Sequence, residues 1–229
     1  MLQVAFADSI ASAREELIVE IARAPEQILE AKQLRYRVYC QERGFEPGQN
    51  NLEQDEFDAR SRHVLVRSRL NGEVYGTVRV ALSGKEHSNS EFPIEHLCGK
   101  SVLASLPRAR TGEVSRFALT RDRAGLSPAA SALTRLCLFR GIIQIAGEEG
   151  LTHLCALMEK TLLRLLQSTA IYFHTVGPAV EHRGIRYPSI WRISDGLSRM
   201  QHENNAVWSF VTADGTLWSE DRDETRITA

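Results

Sequence analysis

The chain has 229 residues, 43% of them hydrophobic and 25% charged, with a formal net charge of -1. That length and balance give one large or two small globular domains with a sizeable core, and they exclude a general nucleic-acid binder. Cys40, Cys98, Cys137 and Cys155 are scattered with no C-x-x-C, so buried free thiols in a reducing compartment are expected. His153 stands two residues from Cys155 without a second ligand pair, which argues against zinc. The first residues lack a basic stretch followed by a long apolar run, so no signal peptide is expected. Arg135, Arg140 and Gln144 interrupt the most apolar long segment, so no membrane span is expected and the location read from these signals is cytoplasmic.

In chain order, Ser9 to Glu16 reads as a short leading helix with Ser9 as N-cap. Leu17 to Ala22 reads as a first strand. Pro25 suits a first helical turn, and the helix is expected to run to about Arg43, with Ile28, Ala31, Leu34, Val38 and Tyr39 inward and Gly44 as its stop. Gly44 to Ala59 is a long polar loop, and its length marks it as disordered or functional. Arg62 to Leu70 and Glu73 to Leu82 alternate in polarity around Asn71-Gly72, which specifies a type I′ hairpin. Gly76 in the returning strand signals a bulge or a close backbone approach. Ser83 to Arg110 is polar and irregular, with helix expected around Ile94 to Leu106.

Gly112 to Leu119 reads as a buried strand with a charge pair set into it. Alternation puts Glu113, Ser115 and Phe117 on one face and Val114, Arg116 and Ala118 on the other. A buried ionisable pair must find partners. Thr120 to Pro128 is a basic, glycine-containing loop opening a helix from about Ser127 to Glu149, which forms a strand–loop–helix anion site. That helix has apolar residues at Ala129, Leu133, Leu136, Phe139, Ile143 and Ala146. Leu151 to Leu157 is a strand, Met158 to Gln167 a helix with Leu162, Leu165 and Leu166 apolar, and Ala170 to Val176 a strand. Gly177-Pro178 is a turn, Val180 to Ile193 an extended element broken by Gly184 and Pro188, and Ser194 to Val211 helical or mixed. Asp221 to Ala229 reads as a frayed tail. The alternation of strands and helices predicts a three-layer α/β domain with a mixed sheet.

Four short motifs carry a resemblance. Leu34-Arg35-Tyr36-Arg37-Val38-Tyr39 resembles the L-R-x-x-V-F/Y helix of the acyl-homoserine-lactone synthases, and Asp55-Glu56-Phe57-Asp58 their D-x-x-D loop. Gly76 to Val80 resembles their G-x-x-R-L strand, and Glu113 to Phe117 their E-x-S-R-F/L strand. Cys40 to Phe45 and Gly177 to Pro188 resemble a sister branch, the long-chain N-acyl amino acid synthases and exosortase-associated acyltransferases. The lactone synthases carry a Trp where this chain has Phe45, within the wall of their S-adenosylmethionine site. The resemblance covers roughly residues 17 to 193 and implies one domain of the GNAT superfamily, with 194 to 229 as an extension. It implies an α/β (α+β) three-layer sandwich whose central mixed β-sheet, flanked by helices, is splayed where the acyl-phosphopantetheine arm enters.

The resemblance also implies roles. Glu113, Ser115 and Arg116 are the candidate catalytic residues. Glu113 has two roles open to it: the base that deprotonates an attacking amine, or the neutralising partner of Arg116 or Arg79. Arg35, Arg79, Asp55 and Asp58, with Tyr39 and Phe45, are candidates for holding the acceptor, or for a structural ion-pair network. Glu53 and Glu56 are read as solvated loop acids. Backbone N–H groups of Phe117, Ala118 and Leu119 are candidate oxyanion donors, and Arg121, Arg123 and Gly125 candidate holders of the pantetheine phosphate. The expected function is transfer of a long-chain acyl group from acyl carrier protein, or from acyl-CoA, to the α-amine of an amino acid. No tightly bound cofactor or metal is expected. The alternatives are an acyl-homoserine-lactone synthase using S-adenosylmethionine and a non-catalytic acyl-binding module.

Overall fold

A computed structural model describes residues 10, 14–45, 48, 50–83, 91–122 and 126–218. It shows an eight-stranded mixed sheet flanked by helices. The strands are β1 (Leu17–Ala22), β2 (Ser61–Ser68), β3 (Val74–Leu82), β4 (Thr111–Leu119), β5 (His153–Met158), β6 (His174–Thr175), β7 (Val180–Glu181) and β8 (Ile185–Arg192). The helices are α1 (Pro25–Tyr36), α2 (Pro93–Cys98), α3 (Pro128–Glu149), α4 (Lys160–Gln167), α5 (Ile193–Glu203) and α6 (Asn205–Thr212). The sheet order is β1-β2-β3-β4-β5-β8-β6, with β7 paired to β8. The chain divides into two compact units, residues 1–56, 62–79 and 116–142, and residues 57–61, 80–115 and 143–229.

In the first unit β1 has the predicted bounds and pairs antiparallel with β2, from Leu17 opposite Ser68 to Ala22 opposite His63. Pro25 opens α1, and Gln27 Oε1 accepts from the N–H groups of Arg23 and Ala24. Ala31 packs with Ala22 and Leu65, and Leu34 and Val38 pack with Ala118, so the inward face is as expected apart from a half-buried Ile28. The α-helix does not continue to Arg43. From Arg37 to Glu42 it widens into a π-helix, and Gly44 follows at φ 64°.

The hairpin turn differs from expectation. A type I′ turn needs positive φ at both central residues, and only Gly72 has it. Ser68 N–H donates to Glu73 O, which makes Arg69 to Gly72 a four-residue loop. Ser68 Oγ accepts from Leu70 and Asn71 N–H, and Asn71 Oδ1 accepts from Glu73 N–H, so side chains stabilise the wider turn. Gly76 marks a close approach: a Cβ there would lie 2.8 Å from Leu119 Cδ2 and 3.3 Å from Leu138 Cδ1.

In the second unit β4 and β5 are parallel, in register from Thr111 opposite His153 to Val114 opposite Ala156. β5 runs antiparallel to β8, and β6 to the other edge of β8. Phe92, Ile94, Leu103 and Cys155 form a buried cluster over this part of the sheet. The strand expected over Ala170 to Val176 is reduced to β6, because Ala170 turns into left-handed backbone at φ 61°. Leu163, not Leu165, faces inward from α4, and Leu165 is exposed. Gly184 and Arg183, both at positive φ, divide the Val180 to Ile193 segment into β7 and β8. Phe173 stacks on the buried Trp191 with ring centroids 5.8 Å apart.

α3 is the one described helix long and apolar enough to cross a membrane, and most of it is buried within the protein. Helix at Arg14 to Glu16 fits the leading element, while Ser9, Arg123, Gly125 and the C-terminal tail from Asp221 lie outside the described residues. All four cysteines are free.

Candidate functional site

The first unit holds a chain of ion pairs built from four segments. Arg35, on the last turn of α1, is fully buried and its Nε donates to Glu53 Oε2. Glu53 Oε1 accepts from Arg116 Nε at 2.8 Å. Arg116 Nη2 donates to Asp55 Oδ2 at 2.8 Å, and Asp55 Oδ1 accepts from Nη1 of the buried Arg79 on β3. The order is therefore Arg35–Glu53–Arg116–Asp55–Arg79. Of the three arginines, Arg116 reaches solvent, with 16% of its side chain exposed. Its Nη1 is not used in these ion pairs.

Backbone geometry explains how a strand residue serves this network. Arg116 has φ 54° inside β4, a left-handed conformation that costs a non-glycine residue about 1 kcal/mol or more. The simple alternation expected along β4 fails there, because such a residue makes a bulge and re-aims its side chain. The β4–β5 register ends at Val114, two residues before the bulge.

Glu53 was expected to be a solvated loop acid. It is 3% exposed and joins two arginines. Charge counting is the signal that points to it. Three arginines on three core elements need more carboxylate than Asp55 alone supplies. Asp58 lies half-buried on the 3₁₀ turn Glu56–Arg60, in the second unit.

Tyr39 lies in the π-helix and its hydroxyl donates to Phe117 O at 3.2 Å. Phe45 stacks on Tyr39 at 6.2 Å, and Arg43 lies 5.8 Å from the Phe45 ring centre. Phe117 and Leu119 are half-buried, while Ala118 is buried against Leu34 and Val38. Glu42, at the end of the π-helix, accepts from Thr120 Oγ1 at 3.1 Å and from Arg121 N–H at 3.3 Å. The Arg121 N–H assigned to a phosphate from the sequence thus donates to a side-chain carboxylate, and the Arg121 side chain is exposed.

Glu113 sits in the second unit and is 2% exposed. Its Oε2 accepts from Ile94 N–H at 2.8 Å, in the first turn of α2. Glu95 on that turn accepts from Phe92 N–H at 2.7 Å and from both terminal nitrogens of Arg108, at 2.6 and 2.9 Å. Burial and the Glu113 charge push the Cys98 and Cys155 thiols up, Cys155 well up. Ser115 is half-buried on β4. Among the described residues no group of three or more His, Cys, Asp or Glu side chains is placed to hold a metal ion.

Residues 34–127 match the family model "Acetyltransferase (GNAT) domain". A search of curated proteins finds no match. Among solved structures, the chain is similar to TofI in a ternary complex with an inhibitor and MTA. That likeness has TM-score 0.62 and 21% identity, over 88% of this chain and 99% of the other. It is similar to BjaI, a CoA-dependent acyl-homoserine lactone synthase solved with SAM and isopentyl-CoA, at TM-score 0.62 and 20% identity over 81% and 88%. It is similar to FeeM, an N-acyl amino acid synthase from uncultured soil microbes, at TM-score 0.57 and 18% identity over 80% and 94%. Family model and fold agree: the chain carries a GNAT acetyltransferase domain over residues 34–127, set in the fold shared by these synthases.

Proposed function

We propose that the chain is an N-acyltransferase that moves a long-chain acyl group from a carrier-protein thioester to the α-amine of an amino acid. The observation that carries this reading is the Arg35–Glu53–Arg116–Asp55–Arg79 network. It fixes the partly exposed Arg116 guanidinium through Nε and Nη2 and leaves Nη1 to offer to an anion. A planar, immobilised guanidinium suits a carboxylate better than a mobile ammonium does. An acceptor bearing a carboxylate beside its amine fits that donor.

The amine nitrogen attacks the thioester carbonyl. The C–N bond forms, the C–S bond breaks, the nitrogen releases its proton and the thiolate leaves on the donor. Glu113 is the proposed proton acceptor, and backbone N–H groups at Phe117 to Leu119 are the proposed donors to the oxyanion. Arg121 gives an acidic carrier protein an exposed positive charge, so the Michaelis constant for the carrier should rise with salt. Such chemistry belongs in the cytoplasm, where acyl carrier thioesters are made.

The Tyr39–Phe45 stack favours a second reading, lactone synthesis from S-adenosylmethionine, because an aromatic wall stands beside the network. Incubation with acyl-carrier and acyl-CoA thioesters, each with a panel of amino acids and with S-adenosylmethionine, separates the two by product mass. An N-acyl amino acid is expected. A lactone without acyl amino acid would replace the first reading with the second.

A further inference from the structure

Two carboxylates from separate segments grip the ends of the loop between β4 and α3. Glu42 accepts from Thr120 Oγ1 at 3.1 Å and from Arg121 N–H at 3.3 Å. Glu16, just ahead of β1, accepts from Ser127 N–H at 2.8 Å, while Ser127 Oγ accepts from Ala130 N–H in the first turn of α3. A loop between a strand and a helix N-terminus ordinarily offers such N–H groups to phosphate. Here Arg121 and Ser127 already donate to the protein's own carboxylates. Glu42 is only 17% exposed, so its charge is incompletely screened by water.

We infer that Glu42 is a donor-selectivity residue, acting against thioesters rich in phosphate. Coenzyme A brings a diphosphate and a further phosphate, all repelled by a fixed carboxylate at this loop. A pantetheine arm carried on a protein brings one phosphodiester and meets far less repulsion. The inference rests on the acyl-transfer reading and names the donor class that reading uses: pantetheine thioesters on a carrier protein rather than on a free nucleotide.

The test is a calorimetric titration of the full chain and E42Q with coenzyme A, and with pantetheine, which has no phosphate. Removing one charge a few ångströms from phosphate should tighten coenzyme A about tenfold, and pantetheine by no more than about twofold. E42D keeps the charge and should retain the wild-type discrimination. E42S removes it without introducing an amide and should shift coenzyme A in the same direction as E42Q. Equal shifts for both ligands, no shift, or no binding of either ligand to any of the proteins would overturn the inference. Failure of the acyl amino acid reading would show separately, as absence of that product with every amine, while these binding constants still decide the question of the donor.

Discussion

Glu53 is where stability and the acceptor site meet, and E53Q isolates its contribution. The substitution keeps the shape and removes the charge that two arginines share. Arg35 has no exposed side-chain surface, so it cannot turn to water when its anionic partner is neutralised. Leaving a buried charge without its partner costs about 3–5 kcal/mol. Arg116 lies at the rim and keeps Asp55 at 2.8 Å, so its share of the loss is small and the lower end of that range applies. A loss of about 3 kcal/mol corresponds to a fall in midpoint temperature of roughly 6–12 °C for a chain of this size. Urea denaturation and calorimetry on the wild type and E53Q read both quantities. A loss under about 1 kcal/mol would mean that Arg35 is not held by Glu53's charge, and the reasoning would fail.

Gly196→Ala should destabilise the protein by about 1–3 kcal/mol despite alanine's better helix propensity, because its Cβ would lie 2.1 Å from the Trp191 indole; a more stable variant by denaturant melt would contradict the packing. Glu113→Gln discriminates base from brace. A base predicts a fall in kcat of about 10²–10⁴, whereas a residue that only receives the Ile94 N–H leaves kcat within a few-fold. In the same variant the Cys98 thiol should ionise at lower pH, since burial and the Glu113 charge both hold it up. Its alkylation should then be faster at pH 8 than in the wild type, and an unchanged rate profile would refute that coupling. Arg116→Lys should raise the Michaelis constant for the amino acid about tenfold with a smaller effect on kcat, and equal kinetics would remove Arg116 from acceptor binding.

Where backbone demands are local, the sequence is legible. β1 begins and ends at the residues its β-branched run dictates, and Gly76 sits where another chain segment needs the space of a side chain. The hairpin strands are legible too, but not their turn. Asn71-Gly72 speaks for a two-residue turn, and Ser68 outweighs it by capping two N–H groups of a longer one. The π-helix leaves no trace in apolar spacing, because Leu34 and Val38 keep the same inward interval that an α-helix would give them. Arg116 is the plainest limit. Nothing in a one-dimensional pattern reports a left-handed residue whose cost is met by ion pairs to Glu53 and Asp55, contributed by a loop more than sixty positions away. For the site, the arginines and Asp55 could be named from short motifs, whereas Glu53 and Glu42 could not. Acids on loops and helix ends look alike until their partners are placed.

The widened helix at Arg37 to Glu42 has a consequence for how this protein could change over generations. A π-helix holds one residue more than the α-helical path it replaces, so losing a single codon in this stretch would restore the commoner and tighter coil. The repaired helix would also turn everything beyond the deletion by about 100°. The Glu42 carboxylate would swing away from Thr120 and Arg121, and the aromatic contact of Phe45 with Tyr39 would be lost with it. The surplus residue is therefore kept against a standing thermodynamic incentive to discard it, and lineages that shed it should be found with a different acid, or none, facing that loop.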